Sequence, residues 1–401
     1  MSDAFAGKPA VTTGAEALVS RAFAELGGKR VGLVTNHTGR VAGKRLIDVM
    51  AASKALKLSA ILTPEHGVAG TIEAGAKVAH GVDRATGLPV HSLYGKTAKP
   101  TPEMLAGLDV LVFDMQDIGA RFYTYISTMG LAMQAAAVAR LPFVVLDRPN
   151  PLGGAYVSGF VLERAHASFV GLYPIPIAHG LTAGELARMI KGQRYLRGLA
   201  DLDLQVVKLE GWRRDMLWPD VGHAWVATSP NIPSFETALV YPGTGLLEQT
   251  IASEGRGTTE PFLLVGHPAV DAAAVVRRLG DARLPGLAFE ATRFTPRPIK
   301  GVATKPRFSG QEIPGIRIRV TQPGAVRSVE AGIHLLVAID AAARARGTIG
   351  IVENAQYFGR IAGTGRLLEA LDRGAGADEI IAGWQAEVAA FVAKRQKYLL
   401  Y

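Results

Sequence analysis

A carboxylate and an imidazole stand side by side in Pro64-Glu65-His66-Gly67, just after an apolar run from Leu58 to Ile61. The apolar run predicts a buried strand, and the glycines that follow let the backbone approach a ligand closely. Open α/β sheets bind their ligands at the carboxyl ends of the strands. We therefore predict acid/base chemistry at Glu65, with His66 orienting it or contacting the ligand. The alternative is structural: Glu65 would accept backbone N–H groups, and His66 would be a partly buried histidine with its hydrogen bonds satisfied.

Two other predicted strands also end in charged or amide residues. Asp109 to Phe113 is followed by a polar segment from Asp114 to Arg121, and Phe143 to Leu146 is followed by Asp147 to Pro151. Because parallel strands present their carboxyl ends at one edge of a sheet, we expect a single site there. Asp114 is the candidate for a second catalytic group, and the candidates for ligand contact are Asn36, His37, Gln116, Asp117, Arg121, Tyr123, Tyr125, Arg148 and Asn150.

Several of these residues have structural alternatives. Asp117 could cap the helix that follows it, Asn36 suits a turn, and tyrosines most often pack in a core. Arg121 lies near the N-terminus of a predicted helix, where a positive charge is unfavourable. We therefore expect a counter-charge beside Arg121, either a nearby aspartate or an anionic ligand.

A fourth polar cluster lies farther along the chain, from Ser253 to Thr259. Glycines on both sides of Arg256 predict that the backbone comes close to a ligand or to the first domain, and a solvated loop is the alternative. Polar residues in other segments that look ordered extend the predicted site. The later candidates are His179, Asn231, Glu248, Glu254 and Arg256.

Strands and helices alternate in the first part of the chain, which predicts parallel βαβ units. Strands are expected at 30–36, 58–63, 89–94, 109–113, 143–146 and 204–209, and helices at 45–53, 121–140 and 182–191, the last with a Thr182–Glu185 capping box. After Ser229 we expect a long irregular segment, then helices at 267–279, 334–345 and 377–401 and a strand at 315–320. The predicted fold class is α/β, with a parallel-sheet domain over residues 1–240 and a smaller α/β domain over residues 241–401.

The bulk composition narrows the classes of function. The chain has 401 residues, of which 48% are hydrophobic and 20% are charged, as in globular proteins with a large core. Its net charge of +9 comes from scattered residues, so no nucleic-acid partner is expected. There is no cysteine for a disulfide or a thiolate metal site, and no apolar stretch approaches the roughly 20 residues of a membrane span. Met1 to Gly7 lack a signal-peptide pattern, so the chain as written is predicted to be cytoplasmic; a removed signal peptide would make it periplasmic or secreted.

Several familiar catalytic motifs are missing from the sequence. It has no G-x-S-x-G, no P-loop and no H-E-x-x-H, and no G-x-G-x-x-G follows the first strand, so no nucleotide cofactor is expected. The remaining carboxylates, amides, arginines and tyrosines suit a carbohydrate site, where a protonated carboxylic acid donates to the glycosidic oxygen. They also suit a divalent-metal hydrolase with His66, Asp114 and Asp117 as ligands. The residues alone do not separate these two interpretations.

Longer motifs along nearly the whole chain resemble those of one family. They are Val31–Gly39, Pro64–Gly67, Leu93–Gly95, Val112–Tyr125, Asp147–Pro151, Gly171–Pro176, Ser229–Asn231, Tyr241–Thr244, Ser253–Thr259 and Lys397–Tyr401. On these segments the sequence resembles the NamZ family of exo-acting β-N-acetylmuramidases, long known only as a bacterial domain of unknown function. Gly245 is a departure, because a cysteine is common there in relatives, and we expect no catalytic effect from it.

The resemblance implies a Rossmann-like N-terminal domain without a nucleotide, a smaller C-terminal domain and a cleft between them. It implies removal of a terminal β-linked N-acetylmuramic acid from the non-reducing end of peptidoglycan fragments, in cell-wall turnover and recycling, with neither cofactor nor metal. By the same resemblance, Glu65 matches the glutamate proposed as the catalytic acid.

Such a substrate sets physical requirements that leave several choices open. Its lactyl carboxylate needs a cation, best supplied by a bidentate arginine, and the candidates are Arg121, Arg148 and Arg256. The acid must stay protonated near neutral pH, which burial at a strand end favours. The second catalytic group is either the substrate's own acetamido group or a carboxylate of Asp114, Asp117, Glu248 or Glu254. Two rival functions remain: a metal-dependent hydrolase of another anionic substrate, and a non-catalytic muropeptide-binding protein.

Overall fold

The computed structural model describes residues 10–401, and a seven-stranded sheet organises the first part of them. The strands of this part are β1 (Arg30–Thr35), β2 (Arg40–Val41), β3 (Lys44–Arg45), β4 (Lys57–Thr63), β5 (Gly81–Val82), β6 (Pro89–Ser92), β7 (Val110–Asp114), β8 (Phe143–Leu146) and β9 (Leu204–Val207). Its helices are α1 (Gly14–Ser20), α2 (Leu46–Ala51), α3 (Pro102–Leu105), α4 (Tyr125–Val138) and α5 (Ala183–Gly192). β2 and β3 form a separate ribbon.

The large sheet has the order β5-β6-β4-β1-β7-β8-β9, and all neighbours are parallel except β5 and β6. Every residue of β7 and β8 is buried, as expected for central parallel strands covered on both faces. The chain adds β4 and β6 on one side of β1 and then β7, β8 and β9 on the other. The carboxyl ends of β4, β1 and β7 therefore meet at the point where the strand order reverses, which is where such sheets bind ligands.

A three-stranded antiparallel sheet and seven helices make up the C-terminal part of the described chain. The strands β10 (Leu264–Gly266), β11 (Leu287–Phe294) and β12 (Ile313–Val320) lie in the order β10-β12-β11. The helices are α6 (Phe235–Thr244), α7 (Ala272–Asp281), α8 (Ser328–Arg344), α9 (Ala355–Ala362), α10 (Arg366–Asp372), α11 (Ala377–Ala382) and α12 (Gln385–Arg395). The predicted α/β fold class, with a large parallel sheet followed by a smaller α/β C-terminal part, is confirmed.

Some predicted elements are wrong in detail, and tertiary packing explains one of them. The segment after Ser229, predicted to be irregular, contains helix α6 with Pro242 inside it. A proline weakens an isolated helix, but here Gly243 lies against α8 so closely that a Cβ would sit 1.9 Å from the Ser328 carbonyl oxygen. The strands β10 and β11 were not predicted.

Local chemistry explains other boundaries. The helix predicted at 121–140 begins only at Tyr125. The helix predicted at 267–279 begins at Ala272, because the Asp271 side chain caps it by accepting the N–H of Ala274 at 3.0 Å. The helix predicted at 377–401 is interrupted before Trp384, whose ring is 1% exposed and packs on Phe160. The predicted capping box of α5 is confirmed, since Thr182 and Glu185 bond each other's backbone N–H.

Within residues 10–401, no helix is long and apolar enough to cross a membrane. The segment Met1 to Gly7, on which the prediction about a signal peptide rests, lies outside the described residues.

Candidate active site

A cavity of about 390 Å³ lies between the carboxyl edge of the large sheet and the C-terminal part, and we call it the cleft. Its volume falls in the range of small-molecule sites. Loops that follow β4 and β7 form one wall, and segments near Asn231, Glu248 and Tyr357 form the others. The cleft therefore depends on both parts of the chain.

Glu65 follows β4, lines the cleft and is 9% exposed. Its Oε1 atom accepts the backbone N–H of Gly75 at 2.8 Å, and its Oε2 atom accepts the hydroxyl of Thr124 at 2.9 Å. Neither donor carries a charge. Burial and the nearby Glu65 carboxylate raise the pKa of the Tyr94 phenol, which therefore keeps its proton beside Glu65. The carboxyl group is thus held at both oxygens by neutral donors.

His66 lines the cleft next to Glu65 and is fixed by its own loop. Its Nδ1–H donates to the Ile72 carbonyl at 2.6 Å, and the Ile72 N–H donates to the His66 carbonyl at 3.3 Å. Burial lowers the pKa of His66, although Glu65 opposes this, so the ring is neutral near pH 7 and offers Nε2 as an acceptor. His66 has φ of 71°, a strained backbone conformation that often marks functional sites.

Arg256 is bonded to two carboxylates on the opposite wall. Its Nη2 lies 3.0 Å from Glu248 Oε1, and its Nε lies 2.7 Å from Glu254 Oε1. Although burial opposes the positive charge, both glutamates raise the pKa of Arg256 above its usual range. Burial in turn raises the pKa of Glu248, and Arg256 opposes that shift. Two of the three guanidinium nitrogens of Arg256 are therefore held by carboxylates that line the cleft.

Aromatic rings also line the cleft. The Tyr241 ring lies 5.3 Å from Phe122, 6.2 Å from Tyr123 and 4.7 Å from Phe262. Burial raises the pKa of Tyr123 and Tyr241 well above the physiological range, so both phenols keep their protons. Rings with polar tips suit a sugar, which has apolar faces and hydroxyl edges.

The structure brings together eight of the residues predicted from the sequence. Lining the cleft are Glu65, His66, Tyr123, Tyr125, Asn231, Glu248, Glu254 and Arg256. Nine others lie outside it, and their contact with a ligand stays a prediction: Asn36, His37, Asp114, Gln116, Asp117, Arg121, Arg148, Asn150 and His179.

Asp114 and Arg148 lie outside the cleft because they satisfy each other. Arg148 Nε donates to Asp114 Oδ1 at 2.6 Å, and Arg148 Nη2 donates to Asp114 Oδ2 at 3.0 Å. Asp114 is 0% exposed, and burial raises its pKa while Arg148 opposes that shift. The ion pair does not favour Asp114 as the second catalytic group or Arg148 as the cation for a lactyl carboxylate, and both roles stay predictions.

Four neighbours of this pair bond backbone groups, although Gln116 Oε1, Asp117 Oδ1 and His179 Nε2 are buried without a hydrogen-bond partner among residues 10–401. Gln116 donates through Nε2 to the Pro149 carbonyl, Asp117 accepts the Gly119 N–H at 2.7 Å, and Asn150 donates to the Leu181 carbonyl. His179 accepts the Leu181 N–H, and burial lowers its pKa to about 3. We call these four residues, together with Asp114 and Arg148, the closed polar cluster. Asp117 thus shapes a turn and does not cap the following helix.

No carboxylate of residues 10–401 pairs with Arg121, so the predicted aspartate is not its counter-charge, and the predicted anionic ligand stays a prediction. It is 0% exposed, and its guanidinium donates to the carbonyls of Phe160, Ile175 and Ile361. Ile361 lies in the last turn of α9, where a cation is favourable to the helix dipole. Burial lowers the pKa of Arg121 to about 9. Arg121 therefore joins the two parts of the chain.

Asn36 and His37 also have structural roles. Asn36 Oδ1 accepts both the N–H and the hydroxyl of Thr38, which is the turn chemistry given as its alternative. His37 Nε2 donates to the Ala227 carbonyl, and burial lowers its pKa.

Several residues of the cleft were not predicted. Tyr94 and Glu73 could have been predicted from the sequence, because Tyr94 follows β6 at the same sheet edge and Glu73 lies in the same loop as Glu65. Thr124 stands between two predicted tyrosines. Tyr241 and Tyr357 come from helices of the C-terminal part, and no local pattern indicates that they reach the cleft.

No three His, Asp or Glu side chains of the described chain converge as metal ligands. The set predicted for that role is separated: His66 lies in the cleft, Asp114 is bonded to Arg148, and Asp117 is in a turn. This donor set therefore does not form a metal site.

Comparisons with known proteins agree with this architecture. Residues 31–236 match the N-terminal model, and residues 239–401 the C-terminal model, of the exo-β-N-acetylmuramidase NamZ. The peptidoglycan β-N-acetylmuramidase NamZ of Bacillus subtilis (strain 168) is 42% identical, over 98% of this chain and 92% of that protein. Crystal structures of two DUF1343 family proteins from Bacteroides fragilis are also similar. The first has a TM-score of 0.89 and 36% identity, and the match covers 98% of this chain and 100% of that protein. The second has a TM-score of 0.80 and 32% identity, and the match covers 98% of this chain and 99% of that protein. The chain belongs to the exo-β-N-acetylmuramidase NamZ family.

Proposed function

We propose that this protein is an exo-acting glycosidase that removes a terminal β-linked N-acetylmuramic acid from the non-reducing end of peptidoglycan fragments. Glu65 is the general acid that protonates the glycosidic oxygen. This activity would serve cell-wall turnover and recycling, in whichever compartment such fragments occur.

The observation that carries the proposal is the difference between the carboxylates of the cleft. Two carboxylates of the cleft, Glu65 and Glu73, have neutral donors, and of these Glu65 is the buried one at 9% exposure. Glu248 and Glu254 both contact Arg256. A general acid donates a proton from its carboxyl group to the leaving oxygen, and no lysine or arginine of residues 10–401 bonds Glu65. Glu248 and Glu254, in their ionised form, can stabilise the positive charge that develops at the anomeric carbon. The second catalytic group is thereby narrowed to Glu248, Glu254 or the acetamido group of the substrate.

Arg256 is the proposed ligand of the lactyl carboxylate. It is the arginine that lines the cleft, while Arg121 and Arg148 are bonded elsewhere. Its bonds to Glu248 and Glu254 use Nη2 and Nε, and no residue of 10–401 bonds its Nη1 atom. A carboxylate of the substrate would bind at that nitrogen, and the two glutamates fix the orientation of the guanidinium.

The test is the release of N-acetylmuramic acid from a chromogenic β-N-acetylmuraminide and from a glycan that carries this sugar at its non-reducing end. We expect turnover by the wild type with EDTA present, release of single sugars from the glycan end, and a loss of at least about a hundredfold in Glu65→Gln.

Each rival predicts a different result in the same assay. Loss of turnover with EDTA, restored by a divalent ion, would favour a metal-dependent hydrolase. Binding without turnover, unchanged by Glu65→Gln, would favour a muropeptide-binding protein. Either result would refute the role of Glu65 as general acid.

A further inference from the structure

The connection between β11 and β12 touches the loop that carries Glu65. We define residues 297–306 of this connection as the clasp. It contains a tight turn in which Ile299 and Ala303 bond each other's backbone. The clasp belongs to the C-terminal part of the chain, whereas the loop from Pro64 to Gly75 follows β4 of the large sheet. Its contacts therefore join the two sides of the cleft.

The tip of the clasp holds Glu73 at both carboxylate oxygens. The Thr304 N–H donates to Glu73 Oε1 at 2.8 Å, and the Thr304 hydroxyl donates to Glu73 Oε2 at 2.7 Å. Gly301, with φ of 75°, comes so close to the same loop that a Cβ would sit 2.9 Å from the Thr71 carbonyl oxygen. Glycine at this position permits both the turn and the contact.

The stem of the clasp contacts two other walls of the cleft. The Val302 carbonyl accepts the Asn231 side chain at 2.8 Å, and the Arg297 N–H donates to the Gly257 carbonyl at 2.8 Å. Gly257 adjoins Arg256, and Asn231 lines the cleft. One short segment thus connects the Glu65 loop, the Asn231 segment and the Arg256 loop.

The segment held by the clasp is the one that fixes Glu65 and His66. Gly75, whose N–H bonds Glu65, lies two residues after Glu73. Ile72, which bonds His66 through both its N–H and its carbonyl, lies immediately before Glu73. Holding Glu73 in place therefore fixes both the donor to Glu65 and the partner of His66.

We propose that the clasp positions the general acid, with Glu73 and Thr304 as positioning residues that act through Ile72 and Gly75. This inference rests on the proposed function of Glu65. A shift of about 1 Å in a reacting group can lower a rate by up to a hundredfold, so a bond outside the reacting centre can affect turnover. Thr304 does not line the cleft, which means that its loss should lower kcat with little change in KM.

The experiment compares Thr304→Val with Thr304→Ser and with Lys300→Ala. Valine removes the hydroxyl donor, serine keeps it, and Lys300 is an exposed residue of the same turn. We expect Thr304→Val to lower kcat about fivefold to tenfold with KM changed less than about twofold, and the other two variants to stay within about twofold of the wild type. Glu73→Ala should lower kcat further, and Glu73→Gln should restore part of the loss.

Hydrogen exchange of residues 65–76 provides a readout that needs no substrate. We expect these amides to exchange at least about fivefold faster in Thr304→Val than in the wild type or Lys300→Ala. Unchanged exchange rates would refute the proposal that the clasp holds this loop, whatever the substrate is. Faster exchange with unchanged kcat would refute the positioning role, as would a Thr304→Ser variant as impaired as the valine variant. A wild type without turnover would refute the proposed function, and exchange would still decide whether the clasp holds the loop.

Discussion

Polar side chains gather in two groups next to the carboxyl edge of the large sheet, and the groups differ in what surrounds them. In the closed polar cluster, Asp114 and Arg148 form a bidentate ion pair, and their neighbours bond backbone groups. In the cleft, Glu65 has neutral donors, and no residue of 10–401 bonds the Nη1 atom of Arg256. Both groups have the residue types of an active site. The ion pairing distinguishes them: Arg148 neutralises the central carboxylate of the cluster, whereas Glu65 in the cleft is bonded by uncharged donors.

The largest effect is expected from breaking the closed polar cluster. Arg148→Met would leave the buried carboxylate of Asp114 unpaired, which costs about 3–5 kcal/mol of unfolding free energy. Urea denaturation measures this change. In the double variant Asp114→Leu with Arg148→Met, most of the stability should return, because no unpaired charge remains. A loss below about 1 kcal/mol in Arg148→Met would contradict a structural role for the pair.

A pH-dependent effect is expected at Asp117. Burial raises its pKa to about 7 in the folded protein, above the ordinary value of 3.8. Between these values the folded state holds a proton that the unfolded state has lost, so this group destabilises the protein increasingly as pH rises from about 4 to about 7. Asp117→Asn cannot ionise and still offers an acceptor to Gly119. We expect the variant to gain stability over the wild type across this range, on the order of 4 kcal/mol at pH 8. Urea midpoints measured from pH 4 to pH 8 test this, and a gain that is independent of pH would contradict it.

Arg256 should determine how strongly the cleft prefers N-acetylmuramic acid over N-acetylglucosamine. N-acetylmuramic acid has a lactyl carboxylate that N-acetylglucosamine lacks. In Arg256→Gln, calorimetry should show about tenfold to hundredfold weaker binding of N-acetylmuramic acid and little change for N-acetylglucosamine, with Arg256→Lys between the two. Equal losses of binding affinity for both sugars would show that Arg256 maintains the wall of the cleft and does not bind the lactyl carboxylate.

The smallest effect is expected from the second donor to Glu65. Thr124→Val removes the hydroxyl that bonds Glu65 Oε2 and leaves the Gly75 N–H in place. One neutral hydrogen bond contributes about 1 kcal/mol, so kcat should fall about fivefold. Thr124→Ser keeps the donor and should restore the rate. A serine variant as slow as the valine variant would show that packing of the methyl group, not the hydrogen bond, is responsible.

The sequence predicts the sheet edge well, but it does not show which residues at that edge line the cleft. Strand periodicity places Glu65, Asp114 and Arg148 at the carboxyl ends of parallel strands, and the structure has these strands. Spacing carries no information about which side chains bond each other, so the pairing of Asp114 with Arg148 could not be predicted. Arg121 was misinterpreted for a similar reason, because its partners are carbonyls as distant in sequence as Ile361. Tyr241 and Tyr357 reach the cleft from helices whose packing is set by long-range contacts such as that of Gly243 with α8.

The central claim is that Glu65 donates the proton to the leaving group, and the most direct measurement compares two leaving groups in Glu65→Gln. A sugar leaving group needs protonation, whereas 2,4-dinitrophenolate departs without it. We predict that the variant loses at least about a hundredfold in kcat/KM on a disaccharide and less than about tenfold on the 2,4-dinitrophenyl β-N-acetylmuraminide. Equal losses on both substrates would contradict the assignment of Glu65 as general acid.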